Sequence, residues 1–187
     1  MLSLAQLWLP ILLSAVAVFF ASSLVHMVFR WHNSDYRPLA NEDEVRAALR
    51  KGAPAPGHYV TPYCPDMKAM QSDEMQRRFS DGPIAHLMVV ANGKPNMAAH
   101  LGKWFVLNLL VAAALGCLCG SLLGPGAPVA KILDTAGTAG FLAYGAGSVS
   151  DAIWRGLPRG EMLKDLLDAL IYAVAGAAVF AALWPAA

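Results

Sequence analysis

Three long stretches without a charged residue dominate this sequence. Residues 1–29, 104–130 and 169–187 contain no Asp, Glu, Lys or Arg, although the chain of 187 residues has 14 basic and 13 acidic side chains. A helix of about 20 apolar residues crosses a bilayer core of ~30 Å. The uncharged stretches therefore predict membrane-spanning helices, and they constrain the fold more than any local motif does.

We predict an all-α membrane protein with four transmembrane helices and a small α+β cytosolic insert. The spans are placed at 1–30, 104–123, 132–152 and 164–184, and the insert at 31–103. The third span is the weakest, because it is rich in Gly, Ala and Ser and has Asp134 and Asp151 near its ends. The first span has no basic residue ahead of it and is longer than a signal-peptide core, which favours a retained anchor.

Composition excludes several classes of protein. Only 14% of the residues are charged and the net charge is +1, which argues against a nucleic-acid partner. The three cysteines form no CxxC pair, so neither a disulfide scaffold nor a zinc ribbon is indicated. The lipid bilayer is the partner that this composition predicts.

The distribution of basic residues predicts the orientation. Ten Lys and Arg residues lie between positions 30 and 103, whereas residues 124–130 and both ends of the chain have none. Basic residues accumulate on the cytoplasmic side of a membrane. We therefore expect a multi-pass protein with residues 31–103 in the cytosol and both termini on the opposite side of the membrane.

The insert has the signals of a small α+β unit. Asn41 and Glu44 resemble a capping box that begins a short helix, and residues 67–79 form a second helical pattern. Residues 58–63 and 84–90 are typical of short strands, and Asn96 is placed to cap the helix that leads into the second span.

Soft donor side chains recur in the insert. Cys64, Met67 and Met70 are spaced three residues apart, which would suit copper(I) together with His58 and His86. The alternative is that the methionines form the apolar face of a short helix. Because no established ligand spacing is matched, the sequence predicts no metal ligand and no cofactor.

The polar residues near the span ends form the candidate site. Asp165, Asp168 and Tyr172 fall within about 60° of one another on a helix. His26 is predicted at a similar depth in the first span, and Asp151 lies at the end of the third. Ionisable residues in membrane helices usually face a bundle interior or water. A contact between His26 and Asp168 would then form a proton relay or the floor of a solute site.

The alternative interpretation of this polar cluster is structural. Carboxylates in the first turn of a helix are stabilised by the helix dipole. Asp165 and Asp168 would also find basic partners nearby, namely Arg155, Arg159 and Lys164. The sequence leaves both interpretations open and predicts no catalytic residue.

Small residues recur every four positions in the last two spans. The stripes consist of Ala139, Ala143 and Gly147 in the third span, and of Ala169, Ala173, Ala177 and Ala181 in the fourth. Small side chains let helices approach closely. We expect a tight antiparallel hairpin whose Gly and Ala faces could also serve a protein partner or a second copy of the chain.

Four short segments carry a resemblance to known proteins: residues 151–158 (DAIWRGLP) and 166–173 (LLDALIYA), together with 82–85 (GPIA) and 92–95 (NGKP) ahead of Trp104 and Phe105. They resemble a group of small four-span bacterial inner-membrane proteins that have no assigned activity. The resemblance implies a four-span envelope protein of a Gram-negative bacterium, which would lie in the inner membrane with both termini in the periplasm. It implies no activity, substrate or site residue.

Three classes of function are compatible with the sequence. The first is a non-enzymatic accessory subunit that docks a partner, and the second is a small transporter or channel subunit that uses the His and Asp cluster. The third is a membrane enzyme or a metal-handling protein. No nucleophile elbow, P-loop, HExxH or GxGxxG pattern is present. The sequence leaves open whether the chain is an enzyme, and the absence of these motifs favours a non-enzymatic role.

Overall fold

The computed structural model describes all of residues 1–187, and most of them are helical. The chain forms two compact units. One consists of Met1–Tyr36 together with Asn96–Ala187, and the other of Arg37–Pro95. The second unit lies inside the segment that was predicted as the insert.

The larger unit is a bundle of long helices. In chain order, its elements are α1 (Trp8–Ser23), a π-helix (Leu24–Phe29), a 3-10 helix (Trp31–Asp35), α5 (Met97–Leu122), α6 (Val129–Trp154) and α7 (Arg159–Ala182). The smaller unit contains α2 (Glu42–Gly52), β1 (Gly57–Thr61), α3 (Met67–Met70), α4 (Asp73–Asp81) and β2 (Ala85–Val89). The first span begins later than predicted, because residues before Trp8 form turns rather than helix.

Three helical segments are long and apolar enough to cross a membrane. They are Trp8–Phe29, Met97–Leu122 and Arg159–Ala182. Helix α6 is as long as α5, with 26 residues, but its many Gly, Ala and Ser residues make it less apolar. The membrane character of the chain is therefore clear for three of the four predicted spans.

Helices α6 and α7 form the predicted antiparallel hairpin. Three glycines of α6 face alanines of α7. A Cβ atom added to Gly137 would lie 3.8 Å from Ala177, one added to Gly140 would lie 3.5 Å from Ala173, and one added to Gly145 would lie 3.0 Å from Ala169. The order of the partners reverses along α7, as antiparallel packing requires. Small residues thus bring the two helices into close contact.

The alanine stripe of α7 is confirmed as a packing face, whereas the stripe predicted on α6 is confirmed only at Ala139, which packs against the core. Ala143 and Gly147 are exposed, and the buried face of α6 instead carries Ile132, Ala136 and Gly140. Because α6 has small residues on every side, residue spacing could not select the face. The use of Gly and Ala faces by a partner or a second copy stays a prediction.

The smaller unit has the predicted α+β composition. Strands β1 and β2 pair antiparallel, with Gly57 opposite Val89 and Thr61 opposite Ala85. The helix predicted over 67–79 is interrupted, because the Ser72 hydroxyl accepts a hydrogen bond from the Met75 backbone N–H and so begins a new helix, α4.

Asn96 caps the N-terminus of α5, as predicted from the sequence. Its Oδ1 atom accepts a hydrogen bond of 3.0 Å from the Ala99 backbone N–H. This bond satisfies one of the free N–H groups at the first turn. Helix α5 therefore begins at Met97, seven residues before the predicted span.

Two glycines offer a matched test of the bundle packing. A Cβ on Gly120 would lie 2.7 Å from the carbonyl oxygen of Leu2, which is backbone and cannot easily move, whereas Gly147 has open space. We expect Gly120→Ala to lower the free energy of unfolding by about 1–3 kcal/mol. The control Gly147→Ala should leave it unchanged or raise it by up to about 1 kcal/mol, because Ala favours helix. Unfolding in detergent measures both, and equal stabilities would contradict the packing described.

Candidate functional site

The end of the first span departs from regular α-helix. Residues Leu24–Phe29 form a π-helix, Arg30 adopts a left-handed conformation with φ 55°, and Trp31–Asp35 form a 3-10 helix. A left-handed conformation is uncommon for a residue other than glycine. Short π-helical segments occur frequently at functional sites. The irregular backbone of residues 24–35 therefore makes this end of the bundle a candidate functional site.

This irregular backbone brings two histidines together. On a continuous α-helix, residues six apart point about 120° away from each other. The π-helix and the left-handed Arg30 change that direction, so the rings of His26 and His32 lie 4.9 Å apart between centroids, with 30° between their planes. The sequence spacing alone would not have paired them.

Asp168 is the centre of the site. It lies on α7 and is only 6% exposed. Its Oδ1 atom accepts a hydrogen bond from the Trp31 indole at 3.1 Å, and its Oδ2 atom accepts one from the Tyr172 hydroxyl at 3.2 Å. The Nε2 atoms of His32 and His26 lie 3.0 and 3.5 Å from Oδ2. Four side chains therefore surround one buried carboxylate.

A second carboxylate supports the first. Asp35 Oδ2 lies 2.7 Å from His32 Nδ1, and Asp35 Oδ1 accepts a hydrogen bond from the Lys164 ammonium. Lys164 also donates to the Trp31 carbonyl at 2.9 Å and to the Ser34 hydroxyl at 2.7 Å. One lysine on α7 thus fastens the 3-10 helix to the bundle one turn before Asp168.

The charges in this network shift the pKa values of Asp35 and His32, the two groups that lie beyond the first span. The hydrogen bond from Lys164 holds the pKa of Asp35 below its ordinary value, and contact with His32 adds to this effect. Burial lowers the pKa of His32, but hydrogen bonds to Asp35 and Asp168 outweigh burial and leave it raised. An acidic residue on each side of the ring therefore favours the imidazolium.

The structure brings together three of the five residues that the sequence singled out. His26, Asp168 and Tyr172 converge, and the Tyr172 hydroxyl lies 3.3 Å from His26 Nε2. Asp151 is elsewhere: it forms an exposed ion pair of 3.1 Å with Arg155 at the end of α6. Asp165 is partly buried on α7 and forms none of the hydrogen bonds or ion pairs of the cluster.

The soft donors of the insert remain on its surface. Met67 and Met70 are 68% and 39% exposed, and Met75 is the methionine that is buried. The thiol of Cys64 donates to the Asp66 carbonyl at 3.1 Å. Of the three methionines interpreted as the apolar face of a short helix, Met75 is therefore buried, whereas Met67 and Met70 are exposed. Copper binding by this set stays an untested hypothesis.

Three residues of the site were missed from the sequence: Trp31, His32 and Asp35. Lys164 was named only as a partner for Asp165 and Asp168, whereas its ammonium donates to Asp35. The Trp31 indole donates to Asp168. The available signals were weak: His32 and Asp35 are three residues apart, and Lys164 lies four residues before Asp168. Such spacings are common on any polar helix end, so they could not indicate a site by themselves.

A second polar layer adjoins the site within the bundle. Asn108 is fully buried, and its Oδ1 atom accepts a hydrogen bond of 3.2 Å from the Tyr144 hydroxyl, whereas its Nδ2 atom has no partner. The Trp104 indole donates to the Ser22 hydroxyl at 2.8 Å. The rings of Tyr144 and Tyr172 pack edge to face at 5.6 Å, which joins this layer to Asp168.

The arrangement provides three groups that can bind a cation. One donor atom from each of His26, His32 and Asp168 lies within 4.8 Å of the others. The side chain of His26 is 52% exposed, while those of His32 and Asp168 are 16% and 8% exposed. The site is therefore closed on the α7 side and open beside His26.

Comparison with known proteins gives no further guidance. No protein-family model, curated protein or solved structure matches the chain.

Replacement of Lys164 tests how the 3-10 helix is held. Lys164→Met removes the hydrogen bonds to Trp31, Ser34 and Asp35 but keeps the aliphatic stem. We expect amide hydrogen exchange over Trp31–Asp35 to accelerate about tenfold, which corresponds to the loss of one net hydrogen bond. Lys131→Met, at an exposed position near the start of α6, is the control. Unchanged exchange in Lys164→Met would show that other contacts fix this segment.

Proposed function

We propose that this chain is a multi-pass inner-membrane protein that handles a small cation at the cluster of His26, His32 and Asp168, as a transporter or channel subunit. The observation that carries this proposal is the burial of Asp168 on a membrane-spanning helix with two histidines converging on it. A charged residue in a membrane helix is costly, and such residues commonly mark ion and proton pathways.

The packing of α6 supports four spans. Its contacts with α7 run from Gly137 to Gly145, over the middle of a helix that can itself cross the membrane. With 26 residues at about 1.5 Å each, α6 is longer than the bilayer core. A helix that packs antiparallel along the middle of a membrane span lies at the same depth in the membrane as that span. We therefore propose that α6 crosses the membrane too.

The charge distribution supports the proposed orientation. The ten basic residues between 30 and 103 favour a cytosolic location for this segment, with the chain ends in the periplasm. The cluster would then lie at the cytosolic end of the bundle, since the first span reaches it at His26. A cation in the cytosol would meet His26 first, because this side chain is the exposed one.

The charge of the cluster favours a cation over an anion. It contains two carboxylates, Asp35 and Asp168, and one ammonium, Lys164, so a cation that takes the place of the proton on His32 meets a net negative charge. The low-dielectric surroundings strengthen the attraction between Asp168 and a bound cation. Lys164 points to Asp35 and leaves Asp168 to the histidines.

A flux measurement tests the proposed function. The full chain is reconstituted in vesicles, and entry of H⁺, K⁺ and Zn²⁺ is followed with ion-sensitive dyes. We expect at least one of these cations to enter faster than into protein-free vesicles. Asp168→Asn should abolish the difference, because it removes the buried negative charge.

The exposed Asp151 provides the control for this measurement. Asp151→Asn makes the same chemical change in the ion pair with Arg155, outside the cluster, and should leave flux unchanged. His26→Gln, at a half-exposed position, serves as a second variant in case Asp168→Asn does not fold. Flux at the protein-free level for all three cations, or full flux in both cluster variants, would contradict the proposal.

Docking of a partner protein is a second candidate function. In Arg37–Pro95, Met75 is the one buried hydrophobic residue, while Leu39, Ile84 and Val90 are all more than half exposed. A segment with so little core of its own is typical of one that is completed by another protein. An accessory subunit of a larger membrane complex would use this surface.

Crosslinking in native membranes tests the docking function. A photo-reactive residue at Ile84 should give one discrete adduct with another membrane protein, because this apolar side chain is 58% exposed. The same probe at Glu42, an exposed polar position at the start of α2, is the control. No adduct at Ile84, or the same adducts at both positions, would count against docking.

A further inference from the structure

We infer that His26, His32 and Asp168 form a binding site for one divalent transition-metal ion of the zinc class. This inference names the cation of the function proposed above and in that respect rests on it. Metal binding itself is a property of the site and can be measured without any transport.

The distances between the donor atoms suit a single ion. Zinc is bound by histidine nitrogen and carboxylate oxygen at about 2.0–2.2 Å, so neighbouring ligands of a tetrahedral ion lie about 3.3–3.5 Å apart. Asp168 Oδ2 lies 3.5 Å from His26 Nε2 and 3.0 Å from His32 Nε2. The donor atoms of the two histidines lie within 4.8 Å of each other, so the imidazole rings would need to move closer together only if that distance exceeds the ligand spacing of a tetrahedral ion.

The groups behind the three ligands are those that metal sites commonly have. A ligating histidine usually donates its second ring N–H to a carboxylate, which fixes the ring and raises its basicity. Asp35 lies 2.7 Å from His32 Nδ1 and can accept this hydrogen bond. The Trp31 indole donates to Oδ1 of Asp168, so an ion would share Oδ2 with the Tyr172 hydroxyl.

The donor set selects the class of metal. Two imidazoles and one carboxylate suit zinc and its first-row neighbours, whereas calcium and magnesium prefer oxygen alone. No thiolate or thioether belongs to the cluster, which disfavours copper(I). Three protein ligands also leave a fourth position free for water or another small ligand. Catalytic zinc sites have the same arrangement, whereas structural zinc sites have four protein ligands.

Tyr172 lies beside two of the three proposed ligands. Its hydroxyl lies 3.2 Å from Asp168 Oδ2 and 3.3 Å from His26 Nε2, between two of the three ligands. From there it can hydrogen-bond a water molecule on the ion or approach the ion as a further ligand. The open side at His26 gives the ion a route in that does not require α7 to move.

The same residues could instead form only an ion-pair network that holds the 3-10 helix on α7. In that case Asp168 would attract protonated histidine, and a divalent ion would have no preference for the cluster. The two interpretations differ in their response to added metal, since only a metal site binds a divalent ion with an affinity that falls when His32 or Asp35 is replaced in a folded chain. Binding measurements therefore separate them.

Cobalt(II) is the probe for the test, because it replaces zinc and its visible absorption reports coordination by nitrogen and oxygen. The full chain, purified in detergent and stripped with a chelator, is titrated with Co²⁺ and then with Zn²⁺. We expect one Co²⁺ per chain, displaced by Zn²⁺. His32→Ala should abolish the visible band, and Asp35→Asn should weaken binding about 10–100-fold.

Matched controls distinguish loss of the metal site from unfolding of the chain and from metal binding elsewhere on its surface. His100→Ala, at an exposed histidine near the start of α5, and Asp151→Asn should bind as the unaltered chain does. Thermal unfolding shows which variants are folded, and His26→Gln replaces any that is not. Binding that is absent, or that is unchanged in His32→Ala and His26→Gln, would overturn the metal site.

The outcome is independent of the flux measurement. Specific Co²⁺ binding without movement of any cation would support the metal site and count against the transporter. Flux of H⁺ or K⁺ that requires Asp168 but persists in folded His32→Ala, together with no Co²⁺ binding, would support a cation pathway and overturn the metal site.

Discussion

The contact between Asp168 and the segment that follows the first span determines how this end of the bundle is built. A carboxylate on a membrane-spanning helix needs partners, because an isolated buried charge is costly. Here the partners come from Trp31, His32 and His26, on an element more than a hundred residues away in the chain. Helix α7 therefore fixes where the first span must end and how its backbone must turn.

That requirement explains the irregular backbone. A regular helix through residue 35 would direct His26 and His32 to different sides. The π-helix, the left-handed Arg30 and the 3-10 helix turn both rings to one carboxylate, and Lys164 holds the new direction through Trp31 and Ser34. Local backbone strain of this kind persists when surrounding contacts over-determine it.

Close packing of small residues places the rest of the bundle around this contact. Gly140 and Gly145 allow α6 to approach α7 at Ala173 and Ala169. The same closeness sets Tyr144 against Tyr172, so that the aromatic layer lies directly behind Asp168. The cluster thus has a rigid interior wall and an open side at His26, an arrangement suited to binding a small ion from outside the bundle.

The sequence by itself determined the helical class, three spans and the α+β insert, and it placed Asp168 and Tyr172 on one helix face, because hydropathy and helical spacing are local properties. It left the contact between His26 and Asp168 as one of two interpretations, and it could not find His32 or Asp35, since their role depends on a break in the helix that no local pattern encodes. It also placed the exposed Ala143 and Gly147 on the packing face of α6, because small residues occur on every side of that helix. Tertiary structure decided both, because burial of Asp168 sets which distant side chains must meet it.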